Sequence, residues 1–347
     1  MRHRVTTTSL LTGLVLVVGA APAAADPAGP TNYTSSVTGV EPATDTISVA
    51  VRGGDAFVEL TAAPGTTVEV AGYDDEPFLR FQPDGTVERN EASPARWLND
   101  ARYGAADTTV PPEASSDAPP RWEPVAEGGT YAWHDHRVHW MTPTLPRNVD
   151  PGADGPQRVT AWELPLTVDG EPVTVSGELG WEPSVPALPA GFVALLVLGA
   201  GVAAASRFPA ASVTVTLVGV VAAGTVGLAG SLGLPPGADS EPALVLLPAV
   251  ALALVGVGLA VRGRAGLGPE LIGALAGVPL LVWSVLLLRA LTAPIVPTSL
   301  PDVVARLLVA VALGAGLASL VAAGRAVLAL PGQDPAAWSG RDAVAGS

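Results

Sequence analysis

Hydrophobic and polar positions follow different rules on either side of about residue 190. Upstream, apolar residues come in short alternating runs. Thr46–Val51 alternates and stops at Gly53-Gly54, Phe57–Leu60 follows, Pro64-Gly65 offers a turn, and Thr67–Val70 resumes the pattern. Trp162–Val168 and Pro172–Leu179 flank Asp169-Gly170, a dipeptide suited to a tight hairpin turn. Short β-branched runs punctuated by Gly and Pro predict antiparallel strands. Over residues 26–183 they predict an all-β extracytoplasmic domain, an antiparallel β-sandwich of Ig-like or similar type. Ser93-Pro94-Ala95-Arg96-Trp97-Leu98-Asn99 predicts an N-cap, a proline at the first helical position and one or two helical turns. The proline-, serine- and acid-rich stretch Ala105–Pro120 predicts a loop.

Downstream, a Pro-rich linker at residues 184–189 leads into five apolar segments near Gly191–Ala205, Val213–Leu232, Ala243–Val261, Leu271–Leu288 and Val303–Ala323. Most approach the ~20 residues that cross a bilayer as a helix, which predicts a five-helix transmembrane domain over 190–325 and a short tail at 326–347. At the other end, Met1-Arg2-His3-Arg4, the apolar Leu10–Ala20 and the small residues Ala23–Ala25 have the form of a signal peptide spanning residues 1–25. Arg207, Arg262, Arg264, Arg325 and Arg341 fall on one side of the five spans, whereas Asp239 and Glu241 fall on the other. That distribution predicts an extracytoplasmic β domain in the plasma membrane and a cytoplasmic C-terminus. The segments as bounded hold no Asp, Glu, His or Lys, which argues against an ion-coupled transporter. Gly273, Gly277 and the series Gly224, Gly227 and Gly230 allow close helix approach.

Charge and composition narrow the function classes. The formal charge is −14 and there is no cysteine. An acidic ectodomain disfavours nucleic acid and anionic lipid as partners, and disulfide staples and thiolate chemistry are excluded. No Gly-x-Ser-x-Gly elbow is present, but triads assemble from residues distant in sequence, so a membrane-tethered hydrolase stays as a third reading. An envelope protein partner remains possible on composition.

Chemistry-bearing residues concentrate in one run. Apart from His3 and Met1, every histidine and methionine lies in Tyr131–Met141. If that run is a strand, His134 and His136 share a face, with bases ~7 Å apart, while His139 joins only where the strand bulges or ends. His134, His136, His139 and Met141 then form a candidate metal set, with copper favoured over zinc because a thioether joins the imidazoles. Asp135 would be the acceptor that fixes an imidazole tautomer. Two other readings stand beside this one. The run can be core, with the rings stacked on aromatics and Asp135 paired to Arg137 in a scaffold protein. Alternatively, clustered imidazoles can sense pH. Asp74, Asp75 and Glu76 form a solvated turn, a calcium site or an added carboxylate ligand. Trp97, Trp122, Trp133, Trp140, Trp162 and Trp181 predict core, or an aromatic wall that receives a small ligand.

The blocks Gly72–Asn90, Ser93–Asp100 with Arg102-Tyr103, Pro120–Trp122 and Thr130–Met141 carry a resemblance. They are similar to uncharacterised exported membrane proteins of actinobacteria that bear Gly-Tyr-acid-Glu-Pro, Ser-Pro-Ala and Trp-His-Asp-His-Arg-x-His-Trp-Met blocks before a few membrane spans. The resemblance implies the same domain plan and no particular activity.

Overall fold

The computed structural model describes residues 28–100, 109–208, 211–235, 246–261 and 267–328. The expected signal peptide, part of the Ala105–Pro120 loop and nearly all of the expected tail lie outside the described residues.

The alternating runs become antiparallel strands. They are β1 (Tyr33–Glu41), β2 (Ile47–Arg52), β3 (Phe57–Ala62), β4 (Val68–Ala71), β5 (Pro77–Phe81), β6 (Val87–Asn90), β7 (Trp122–Ala126), β8 (Thr130–Trp133), β9 (Gln157–Val168) and β10 (Glu171–Trp181). Seven form one sheet in the order β1-β10-β9-β4-β5-β6-β7, and β2-β3-β8 form a second. Asp169, at φ 50°, and Gly170, at φ 86°, close the β9–β10 hairpin as the dipeptide predicts. Val58, Leu60 and Trp133 of the smaller sheet join Val70, Leu79 and Leu164 of the larger in one buried apolar cluster. Side chains from both sheets therefore close a common core.

Alternation places Trp162 on the inner face of β9, opposite Gly177 of β10. Its ring lies directly on the Gly177 backbone, so a Cβ there would overlap both the ring and the Ser36 carbonyl. The indole Nε1 donates to Ser35 Oγ at 2.8 Å, so the buried polar atom is satisfied.

Each of the five apolar segments forms a helix: α2 (Leu188–Arg207), α3 (Ala211–Gly233), α4 (Leu246–Val261), α5 (Leu267–Leu286) and α6 (Asp302–Leu328). Of these, α2, α3 and the Asp302–Arg325 part of α6 are long and apolar enough to cross a membrane, whereas α4 and α5 supply the shorter apolar stretches Leu246–Gly258 and Leu275–Leu286. Two expectations change. The linker is shorter than residues 184–189, because α2 takes Leu188 and Pro189 into its first turn, where a missing N–H costs nothing. Helix α5 begins upstream of Leu271 and includes Glu270 in its first turn, so this helix is not free of carboxylates.

Helix α6 packs against α2, α3 and α5 along a row rich in alanine. Contacts of this kind need small residues. Gly314 lies against the Ala194 carbonyl, and Gly277 faces Ser319 and Gly316, whereas Gly224 faces open space. A polar pair ties the centre: the Thr216 and Ser319 hydroxyls lie 2.8 Å apart, one donating to the other, and each also sits within reach of the carbonyl four residues back on its own helix.

One end of the helical half meets the β domain. Leu234, just past α3, packs on Ala28, Ala56 and Phe57. Thr31 and Ile295 exchange two backbone hydrogen bonds of 3.1 and 3.3 Å. Asn32 Nδ2 donates to Glu182 O and Ser184 Oγ, Val185 N donates to Thr292 O, and the 3-10 turn Leu288–Leu291 completes the junction.

Trp162→Ala is expected to destabilise the chain by about 3–5 kcal/mol through lost burial and the cavity left behind. Gly177→Ala is expected to lower the melting temperature as well, by pushing the same ring off its strand. Melting of the detergent-solubilised full chain followed by circular dichroism checks both. Unchanged curves for the pair would remove this ring from the core.

Candidate functional site

The histidine run is not a strand. Strand β8 ends at Trp133, and the chain turns through residues 136–139. The cause is Asp135, whose carboxylate is fully buried and must be satisfied by donors. Asp135 Oδ1 accepts from the Arg137 N–H at 3.0 Å, and the Asp135 carbonyl accepts from the Val138 N–H at 3.1 Å. An aspartate that bonds its own backbone two residues on bends the chain out of the ladder.

The carboxylate also accepts from the Trp133 indole at 2.9 Å and from Arg137 Nε and a terminal Arg137 nitrogen at 2.8 and 2.7 Å. Burial pushes this carboxyl up, but the bonds and charge of Arg137, with the Trp133 indole, outweigh it and hold the group below the usual carboxylate range. Arg137 also donates to the Ala71 carbonyl at 3.1 Å and lies over the Tyr73 ring, 5.2 Å from its centroid. The Tyr73 phenol accepts from the His136 N–H at 2.8 Å and donates to Asn99 Oδ1. Burial, reinforced by the Asp135 charge, pushes the phenol pKa well up, so it stays protonated.

The three histidines separate. His134 is buried, packs at a tilt against Phe57 with centroids 4.2 Å apart and donates from Nδ1 to the Ala56 carbonyl at 2.6 Å. His136 stacks on Tyr73 at 5.6 Å. His139 is buried, meets His136 edge-to-face at 5.3 Å and donates from Nδ1 to the Asp135 carbonyl at 3.1 Å. The turn thus pairs His136 with His139 rather than His134 with His136, because one helical-type turn replaces the two-residue repeat. Among the described residues, no three His, Cys, Asp or Glu side chains are placed to hold a metal ion. The Asp135 carbonyl faces His139 Nδ1, while Arg137 and Trp133 occupy the Asp135 carboxylate. Met141 is partly buried.

The Gly72–Arg80 run does join the site, through Tyr73 and not through its acids. Asp74 and Asp75 are exposed. Glu76 is buried and accepts from Ser93 Oγ at 2.6 Å and from the Ala95 N–H at 3.2 Å, capping α1 (Pro94–Leu98) together with Ser93. That cap places Asn99 at the other end of α1, where it reaches Tyr73. Asn99 was not singled out in the sequence. Its visible signal is its position as C-cap of the Ser-Pro-Ala helix.

Beside the turn opens a cleft of about 780 Å3. Phe57, Phe78, Tyr131, Trp133 and His134 give it aromatic walls, and Arg96 and Asp100 add charges of both signs. Trp133 meets Phe78 edge-on at 6.4 Å and Tyr131 in a stacked pair at 6.4 Å. Of the six tryptophans expected as core or wall, Trp133, Trp162 and Trp181 are buried, and Trp133 serves both roles.

Asp135→Asn is expected to cost about 3–5 kcal/mol, because it strands the Arg137 charge in a buried site. The pH dependence has a definite sign. The Asp135 carboxyl is depressed on folding, so its contribution is present above the unfolded value of about 3.9 and is lost as pH falls below it. The Tyr73 phenol is raised on folding, so its contribution is present below about 10 and is lost as pH rises above it. Melting temperatures of wild type and Asp135→Asn between pH 3 and 11 check this. The variant should start lower and lose less than wild type on acidification; parallel acid limbs would show that Asp135 carries no such linkage.

Comparisons with protein-family models, with curated proteins and with solved structures find no match to this chain.

Proposed function

We propose that this chain is a multi-pass protein of the cell envelope. In this reading its β domain is a sandwich standing outside the cytoplasm, five spans anchor it and the C-terminus lies inside. The β domain serves as a non-enzymatic binding and scaffold module. The observation that carries this reading is the cleft beside the Asp135 turn and the state of the groups behind it. A general acid or base works best with a pKa near the operating pH. Here the buried carboxylate is held low and the buried phenol is held high, and both are consumed in hydrogen bonds that shape the turn. What faces the cleft is a set of aromatic rings with two cations, Arg89 and Arg96, and three anions, Glu59, Asp100 and Glu127. That surface suits an aromatic segment of an envelope protein partner carrying mixed charge. The arginine distribution supports the orientation.

A specific contact favours a second reading, the binding of copper or zinc. His136 and His139 meet at 5.3 Å, with Met141 two residues on. Two imidazoles suit either ion, and a thioether favours copper. His134, committed to Ala56 and Phe57, is left out of such a set. Inductively coupled plasma mass spectrometry of the purified chain tests it: His136→Ala and His139→Ala should empty the protein of metal while His134→Ala keeps it. Metal-free wild type ends this reading.

The absence of native cysteine makes labelling direct. Glu127→Cys, on the cleft rim, should react with an impermeant maleimide in intact cells, and Ser347→Cys only after permeabilisation. With p-benzoylphenylalanine in place of Tyr131, ultraviolet light should give a discrete adduct; the same probe in place of exposed Thr160 on β9 should give none. Protection of Glu127→Cys in intact cells would overturn the orientation, and equal adducts from both positions would overturn the binding role of the cleft.

A further inference from the structure

A second cleft, of about 720 Å3, opens on a different side, where the β domain meets the helix ends. Its charge differs from that of the protein around it. The chain carries a net charge of −14, yet the lining of this cleft includes no carboxylate and one cation, Arg289 of the 3-10 turn. Arg289 is exposed, and its one side-chain hydrogen bond among the described residues is a 3.4 Å approach to Asn32 Oδ1, longer than a good charged hydrogen bond. Its guanidinium therefore retains donors directed at the cleft in the planar arrangement that suits phosphate.

The walls repeat the theme of an interface between water and lipid. Tyr33, Trp140 and Trp181 line the cleft, and these residue types settle at headgroup depth. Leu286, also in the lining, is 59% exposed, and Val282, Val285 and Leu288 around it are exposed as well. An apolar path thus runs from the cleft along α5 with no polar interruption on that face. A polar, cationic mouth continuous with an exposed apolar track matches an amphiphile with an anionic head and a hydrocarbon tail. The general acidity of the ectodomain, which disfavours anionic lipid over its surface as a whole, does not extend to this recess.

We propose that this cleft seats one phospholipid, with its phosphate on Arg289, its headgroup against the tryptophans and an acyl chain along α5. The inference rests on the membrane reading given above. The bound lipid fills the seam between the β domain and the helices, next to the Asn32 junction.

Native mass spectrometry of the full chain released from detergent tests it, with phosphatidylglycerol, phosphatidylcholine or inorganic phosphate added as the probe. Wild type should keep one phospholipid under conditions that strip the rest. Arg289→Gln should weaken that binding by about tenfold or more, the loss expected for one charge-assisted phosphate contact. Arg289→Lys should recover part of it, and Arg325→Gln, at the far end of α6, should leave it unchanged. Equal retention by wild type and Arg289→Gln would overturn the proposal. So would displacement of the lipid by millimolar inorganic phosphate, which would make this a soluble-anion site. Carbonate washing of membranes separates the two failures: a chain that washes off sinks the anchor itself, whereas a chain that stays but retains no lipid sinks only this inference.

Discussion

The local structure around the site depends on one buried carboxylate. Asp135 has no exposure to water, so its charge must be met from within the protein. Trp133 and Arg137 meet it, and doing so fixes the last residue of β8, the turn after it and the position of Tyr73 under the guanidinium. Tyr73 then reaches Asn99, which α1 holds in place, and α1 is capped by Glu76 and Ser93. Segments separated by tens of residues are thereby tied through polar contacts rather than through apolar packing. Such a network is rigid when every member is satisfied and costly when one is removed.

The regular parts of the fold were legible in the sequence because each rests on local rules. Alternation in Ile47–Val51 and Trp162–Val168, the turn at Asp169-Gly170 and the cap at Ser93-Pro94 all appear where those rules place them. The five apolar segments likewise become helices, although α4 and α5 are shorter in apolar length than a span by simple counting. What local rules did not convey was the partner of each polar group. The period-two reading of Tyr131–Met141 failed because Asp135 accepts from its own backbone and ends the strand. The meeting of His136 and His139, and the engagement of His134 with Ala56, follow from that turn and from a contact 78 residues away in sequence. Glu76 was misplaced for a related reason: its function is to cap a helix 17 residues on, which no acidic triplet reveals.

The helical half is held by different means. Alanine and glycine bring backbones together, and the Thr216–Ser319 hydroxyl pair links α3 to α6 without placing a charge among the helices. Alanine and glycine have no side-chain rotamers to lose on packing, so close contact comes at little entropic cost. The consequence is intolerance: a larger side chain at Gly314 meets the Ala194 backbone itself, which has nowhere to move.

The junction between the two halves has a mechanical meaning. A domain joined to its support by a single linker swivels about that linker. Here the chain is held twice, by the Thr31–Ile295 bridge ahead of β1 and by the Val185–Thr292 bond after β10, and β1 and β10 are neighbours in the sheet. Two fixed points on adjacent strands define an axis, and the packing of Leu234 on Ala56 and Phe57, away from that axis, removes the remaining freedom to swivel. Any tilt of the ends of α5 and α6 that meet the β domain is then delivered to the β1–β10 edge as torque, and the β domain turns with the helices as one lever.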